Sequence, residues 1–322
     1  MNERIRRRAI SGYKNPYSNS SRWLRGNLHA HTCCGKFMDA GVSGQIYANL
    51  GYDFLAITDH NLAHSPEQWQ KWQAENSLTI IPGEENGSKG HILELGVYDV
   101  TPTGTDIYTE RAKLLRQAGG FVVGCHPQEY PDCGEDDIRD AVGMLHGFEI
   151  FNGLREGRGC DEMANVALWD QILTGGGRIW GVATDDFHCA YVTPGHGWVC
   201  VQVPEDTPEP VSWSTIVQQL KNGAFFSSTY PAFEKIALGS NGSSSDTLVV
   251  EAAGTRELRV IGDGGAALHR VRGNRLEWKV EPNLTYFRVE AVSGIKRGWS
   301  QPFYRESQLR VASRSVTLPT AK

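Results

Sequence analysis

The chain has 322 residues, a formal net charge of −5, and 40% hydrophobic against 21% charged residues, the composition of a soluble globular protein with room for a large catalytic domain and a smaller one. No run approaches the roughly 20 apolar residues of a membrane-crossing helix, and the acidic balance excludes an extended basic footprint for long nucleic acid. Seven cysteines are scattered without the paired short spacings of a zinc ribbon and read as reduced, mostly buried thiols.

Residues 1–21, MNERIRRRAISGYKNPYSNSS, carry Arg4, Arg6, Arg7 and Arg8 with no apolar segment after them. They read as a solvated arm rather than a secretory signal, so a cytoplasmic protein is expected. Short β-branched and aromatic runs follow, each of which reads as a buried strand with polar residues at one end. WLRGNLHAHT ends on His29 and His31, DFLAITDH on Asp59 and His60, and LTIIPGEE on Glu84 and Glu85. HILELGV opens on His91, GFVVGCHP ends on His126, FEIFN on Glu149 and Asn152, and RIWGVATDDFH on Asp185, Asp186 and His188. Helical signals lie between them. Ser65, Pro66 and Gln68 supply an N-cap, a first-turn proline and a capping-box partner for PEQWQKWQAEN. DIYTERAKLLRQAGG closes on Gly119 and Gly120, EDDIRDAVGML carries its acids in the first turn, and DEMANVALWDQILTGGG ends in glycines.

This alternation predicts an α/β fold, a distorted (β/α)7 barrel over residues 22–230. From about Glu234 the period changes to two, in KIALGS, DTLVVEAAG, ELRVIGDG, LEWKVEP, TYFRVEAV and QPFYRE, separated by turn residues. That predicts a small antiparallel β-sandwich over residues 231–310, with 311–322 as a tail.

Loops beyond the strand ends of a β/α barrel converge on one face, so the recurring histidines and acids would meet there. Imidazole and carboxylate suit zinc, manganese or iron, and two or three such ions can clamp a tetrahedral phosphate and lower the pKa of water to about 7. One H-x-H pair could equally be buried and hydrogen-bonded; six histidines recurring in order with acids set the pattern apart. Cys33 and Cys34 follow His31 directly and could reach a metal. Arg155 and Arg158, in the loop LREGRG after FEIFN, present planar guanidinium groups suited to phosphate, with Lys36 a weaker candidate. Asp59 and Asp185 could orient ligands from behind. His64, His146, His196 and His269 fall outside the pattern and read as structural, with His64 and His196 near enough to the site loops to touch substrate.

NLHAHT, AITDHN, IPGEE followed by GHILELGV, GCHP and ATDDFH together resemble the motifs of the polymerase and histidinol phosphatase (PHP) superfamily, over roughly residues 22–205. The β tail, from FSSTYP to YFRVEAVSGIKRGWSQPFY, is similar to the C-terminal domain of the CehA/McbA-like branch, which includes hydrolases of carbamate esters and amides. The resemblance implies a trinuclear centre on a distorted (β/α)7 barrel of PHP type. One metal would take His29, His31, Glu85 and Asp186. A second would share Glu85 and add His91 and His126. The third would take His60, His188 and an acid shortly after the H-x-H. Where the superfamily carries S-D-G this chain has CCGKFMDAG, which makes Asp39 the counterpart, slightly late. The family form Gly-x-Glu selects Glu85, leaving Glu84 on the opposite side of the strand.

The expected activity is that of a metal-dependent phosphoesterase on a small phosphomonoester or phosphodiester, including a nucleotide or oligonucleotide end. It would use two or three divalent ions (Zn, Mn or Fe), with Asp59, Arg155 and Arg158 assisting. The alternatives are a carbamate, ester or amide hydrolase using the same centre, and a non-catalytic metal-containing binding module.

Overall fold

The computed structural model describes residues 12–18, 20–32, 39–127, 134–156, 162–188, 194–239 and 246–306. In chain order the first part comprises β1 (Tyr13–Lys14), β2 (Ser21–Asn27), α1 (Ala40–Asn49), β3 (Phe54–Ala56), α2 (Pro66–Glu75), β4 (Thr79–Ile81), β5 (Gly83–Asn86), β6 (Ile92–Leu95) and α3 (Tyr108–Ala118). It continues through β7 (Phe121–Gly124), α4 (Glu135–Asp140), β8 (Gly147–Asn152), α5 (Gly153–Glu156), α6 (Glu162–Thr174), β9 (Trp180–Thr184), β10 (Trp198–Pro204), α7 (Trp213–Asn222) and β11 (Phe225–Ser228). The result is a mixed α/β fold.

Local chemistry sets the helix ends. Ser65 accepts from the Gln68 amide and Pro66 occupies the first turn of α2, as the sequence predicts. α3 stops at Gly119, whose φ of 100° is left-handed and suits a residue without Cβ. Every residue of β3, β4, β6, β7, β8 and β9 is buried, the signature of strands covered on both faces.

Two sheets carry these strands. In one, β2, β3 and β4 run parallel, with β10 antiparallel on the other side of β2. In the other, β7, β8 and β9 run parallel and β6 and β5 extend the sheet antiparallel. The sheets are stitched at one end of their strands by isolated parallel bridges between Ala30 and Phe187 and between His60 and Glu85. The stitches include His31 N to Phe187 O at 2.9 Å, Phe187 N to His29 O at 3.1 Å, and Asn61 N to Glu85 O at 2.9 Å. Through these bonds β2, β3, β5, β6, β7, β8 and β9 form a ring, filled by Leu28, Phe54, Ile81, Leu93, Val123, Phe148 and Val182 among others.

The β-rich remainder contains β12 (Ala232–Gly239), β13 (Thr247–Ala253), β14 (Glu257–Gly262), β15 (Ala266–Arg272), β16 (Arg275–Lys279), β17 (Tyr286–Ser293), β18 (Lys296–Ser300) and β19 (Phe303–Arg305). A three-stranded sheet, β12, β13 and β16, alternates buried and exposed residues. Its Ile236, Leu248, Val250, Leu276 and Trp278 share a core with Leu258, Val260, Phe287 and Val289 of β14 and β17.

Two features depart from the sequence reading. β18 pairs with β11, which pairs with β10, so the expected boundary near residue 230 falls inside one continuous eleven-stranded sheet. Residues 12–18, expected in the arm, are built in: β1 pairs with β19, and the buried Tyr17 hydroxyl donates to Phe225 O at 2.9 Å and accepts from Gln301 N at 2.6 Å. Arg288 of β17 also reaches α6, gripping Asp170 through two bonds of 2.8 Å. No helix among the described residues is long and apolar enough to cross a membrane.

Candidate metal centre

The stitched end of the ring gathers the polar residues that the sequence places at strand ends. His29 and His31 follow β2, Asp59 and His60 follow β3, Glu85 lies in β5, and His91 immediately precedes β6. His126 follows β7, Glu149 and Asn152 lie in β8, and Asp186 and His188 follow β9. Sharp turns aim several of them. His126 and Asp186 hold positive φ values of 23° and 52°, and Asn61 beside His60 holds 48°. Such values cost non-glycine residues free energy and persist where the surroundings fix them.

Glu85 is the hub. Its Oε2 lies 3.2 Å from both His29 Nε2 and His31 Nε2 and 3.0 Å from His60 Nδ1. Its Oε1 lies 2.7 Å from His91 Nδ1 and 3.1 Å from His126 Nε2. Asp186 Oδ1 stands 3.3 Å from His29 Nε2, 3.4 Å from His31 Nε2 and 3.3 Å from His188 Nδ1. Donor atoms within 4.8 Å of one another form the groups His29, His31 and Glu85; His60, Glu85 and His91; and His31, His60 and His188. Glu84 faces elsewhere, its Oε1 accepting from Thr101 N and Asn86 Nδ2.

Behind this set a second layer orients it. Glu149 Oε1 meets His29 Nδ1 at 2.8 Å and the Thr184 hydroxyl at 2.6 Å, while Oε2 accepts from His126 N at 2.7 Å and Asn152 Nδ2 at 2.8 Å. With His29 Nδ1 donating to Glu149, the lone pair on Nε2 points at Glu85 and Asp186, as a metal-ligating histidine requires. Asp59 accepts from Thr32 N at 2.7 Å and the Thr32 hydroxyl at 2.5 Å, and meets His64 Nε2 at 2.7 Å. His64 is itself set against Trp69 and Trp72.

The residues fit divalent cations. His29 Nε2, Glu85 Oε2 and Asp186 Oδ1 are buried, converge, and make no hydrogen bond, although each such atom normally costs about 1–3 kcal/mol when left unsatisfied. A shared ion satisfies all three. The field points the same way. Burial opposes a charge on His29, but Asp186, Glu85 and Glu149 outweigh it and raise its pKa to about 10. Burial pushes the carboxyls of Glu85 and Asp186 up, yet the surrounding histidines hold both well below the usual carboxylate range. His60, partly exposed, is instead lowered to about 4, by burial and then by His31, His91 and His29 against Glu85. Asp59 falls to about 2, as hydrogen bonds from His64 and Thr32 overcome its burial.

Other expected residues are placed differently. Asp39 is exposed and caps α1, its Oδ1 accepting from Val42 N at 3.0 Å. Asp59 is enclosed by Thr32 and His64, where it orients the segment after His31 and lies 3.9 Å from His31 Nδ1 rather than facing a substrate. Arg155, in α5, is buried with Nη2 3.8 Å from Asp186 Oδ2. Arg158, Cys33, Cys34 and Lys36 lie outside the described residues. Asp185 accepts from the amides of Gly195, His196 and Gly197 and from the Tyr47 hydroxyl, pinning a loop. His196 pairs with Glu156 at 3.4 Å, His146 accepts from Val122 N, and His269 sits in β15.

Cys125 was missed in the sequence, although it directly precedes His126. It is fully buried and belongs to two donor groups, one with Glu85 and His126 and one with His29 and Glu149. Glu149 had a legible signal, a carboxylate in the middle of an apolar strand.

No protein-family model matches the chain. An uncharacterized protein of Methanocaldococcus jannaschii is 25% identical over 142 residues, 40% of this chain and 82% of that protein. Among solved structures, the chain is similar to a two-domain protein of Bacteroides vulgatus containing a predicted PHP-like metal-dependent phosphoesterase, with a TM-score of 0.46 and 13% identity over 88% of this chain and 94% of that one. An inferred metal-dependent phosphoesterase of Bifidobacterium adolescentis gives 0.40 and 14%, covering 51% and 87%. An amidohydrolase of Chromobacterium violaceum with bound sulfate and no metal gives 0.40 and 16%, covering 60% and 96%.

Proposed function

We propose that the chain is a metal-dependent phosphoesterase acting on a small phosphorylated molecule, a nucleotide or oligonucleotide end included, and that its stitched ring is the distorted (β/α)7 barrel expected from the sequence. One observation carries this reading: a single buried carboxylate, Glu85, lies within 2.7–3.2 Å of five imidazole nitrogens, an arrangement that makes sense around cations and not as a hydrogen-bonded core. Glu85, His29, His31 and Asp186 would hold one ion, and Glu85, His91 and His126 a second. A third position would rest on His31, His60 and His188, with Asp39 as the acid the sequence offers it. Divalent ions bound there lower the pKa of water to about 7 and neutralise charge on phosphoryl oxygens.

The chain's own residues supply the rest. His60, 40% exposed, and His188, 19% exposed, form the open side of the cluster on which a substrate would arrive. Arg155 lies beside Asp186, its Nη2 3.8 Å from Oδ2, and its guanidinium would turn to steady a phosphoryl oxygen by a charge-assisted hydrogen bond. Asp59 and His64 position the His31 segment. Clustered cations plus an arginine match a phosphoryl group better than a neutral carbamate.

Elemental analysis combined with a screen of phosphomonoester, phosphodiester and aryl carbamate substrates tests the proposal. Two or three transition-metal ions per chain and phosphate release are expected. Arg155→Ala should lower phosphoester kcat/KM by on the order of tenfold or more, the equivalent of a charged hydrogen bond of about 1.5–3 kcal/mol, with metal content unchanged. Brisk carbamate turnover, no phosphate release and indifference to Arg155→Ala would overturn it.

A further inference from the structure

We propose that Cys125 Sγ is a metal ligand and makes the innermost position of the centre selective for thiophilic ions, zinc or ferrous iron over manganese or magnesium. The inference rests on the metal-centre reading and adds a ligand that the histidine and carboxylate motifs do not include. Sγ lies with donor atoms of Glu85 and His126 inside a 4.8 Å span. A tetrahedral zinc ion bonds sulfur at about 2.3 Å and nitrogen or oxygen at about 2.1 Å, so a small inward movement of these three donors would bring them onto one ion.

The alternative grouping, with His29 and Glu149, is closed. Both Glu149 oxygens already take two partners each, from His29, Thr184, His126 N and Asn152, which leaves no lone pair for an ion. Glu85 is the opposite case: its Oε1 meets His126 Nε2 at 3.1 Å, and its Oε2 is buried and without a hydrogen bond. Sγ makes weak backbone contacts, among them 3.8 Å to Val123 O, so turning to a metal sacrifices little. Buried at 1% exposure, it is shielded from solvent oxidants. On binding, the thiol proton leaves to solvent as the sulfur–metal bond forms, and the ion's own charge sustains the thiolate. Thiolate donors favour zinc and iron, whereas sets rich in carboxylate and water suit manganese and magnesium.

Cobalt(II) loaded into the full chain is the probe, because a thiolate ligand adds a sulfur-to-cobalt charge-transfer band in the near ultraviolet. The wild-type chain should show the band. Cys125→Ser, nearly isosteric, should lose it while keeping bound cobalt and its visible d–d bands, and should lose on the order of 10–100-fold of its zinc-over-manganese preference in competition. A double variant, Cys33→Ser with Cys34→Ser, should keep the band. Bound cobalt without the band in the wild type, a band that survives Cys125→Ser, or one that vanishes with Cys33 and Cys34 overturns the assignment of Cys125. A chain that binds no cobalt overturns the metal-centre reading itself, so the two failures are distinguishable.

Discussion

Replacing Glu85 by Gln removes one negative charge and little volume, and the structure says that this charge is the most consequential in the centre. Both of its oxygens are engaged, Oε2 by three imidazoles and Oε1 by two, at 2.7–3.2 Å. Two unit charges 4 Å apart interact by about 4 kcal/mol at an effective dielectric of 20. An ion among donors this close lies nearer than that and carries two charges, so about 4 kcal/mol is a floor for each ion that Glu85 serves. That floor corresponds to roughly a thousandfold in affinity. Asp186→Asn removes the same charge from a carboxylate that faces three of the histidines, His29, His31 and His188, and should release less metal. The assay is elemental analysis after gel filtration, followed by chelator competition to obtain affinities, with far-ultraviolet circular dichroism to confirm folding. If Glu85→Gln folds and retains its full complement of ions through chelator competition, the bridging role of Glu85 is wrong.

Asp39→Ala should lower the unfolding midpoint by the worth of an N-cap, about 1 kcal/mol, with metal content unchanged, because Asp39 Oδ1 caps α1 through Val42 N; loss of one ion per chain would return Asp39 to the centre. Glu94 gives a pH-dependent test away from the metals. Burial, and then the neighbouring Glu84, raise its pKa to about 7 against hydrogen bonds from Thr101 and Gly120. A folded-state pKa above the unfolded value of 4.5 means that the native state binds the extra proton, so stability falls as pH rises from about 4.5 through 7. Glu94→Gln should therefore be nearly neutral at pH 4.5 and stabilising by roughly 3 kcal/mol at pH 8, read from denaturant midpoints at the two pH values. An equal effect at both would refute it.

The strand-end histidines were legible because the apolar runs before them are short and uninterrupted, and because His29, His31, Glu85 and Asp186 come together as the motif order implies. Asp39 stayed ambiguous for a local reason. Its neighbourhood satisfies two patterns at once, an acid shortly after H-x-H and an acid at a helix N-terminus, and sequence alone does not say which one the backbone adopts. Tyr13 and Tyr17 were read as part of a solvated arm because partners such as Arg305 and Gln301 lie more than 280 residues away, a pairing that no local period reveals. The continuity from β10 through β11 to β18 was hidden likewise: the change in period near Glu234 marks a change in texture, not an end to the hydrogen-bonded ladder. Cys125 escaped notice because a thiol in an apolar run looks like any other small core residue until Glu85 and His126 are brought beside it.

The ligand set and the seam of the ring are the same stretch of chain. The bridge between Ala30 and Phe187 is flanked on one side by His29 and His31 and on the other by Asp186 and His188, and the second bridge joins His60 directly to Glu85. Those are the isolated backbone pairings that tie the two sheets together at this end, and they draw Glu85, Asp186 and Glu149 into one buried volume where like charges repel. Nothing apolar could relieve that repulsion. A cation where the strand ends meet would offset it together with the surrounding histidines, and Glu85 Oε2 and Asp186 Oδ1, buried and without a hydrogen bond, are atoms it would meet. The left-handed turns at Asn61, His126 and Asp186 follow from the same constraint, since a strand that bridges its neighbour and also aims a ligand inward must bend sharply at that residue.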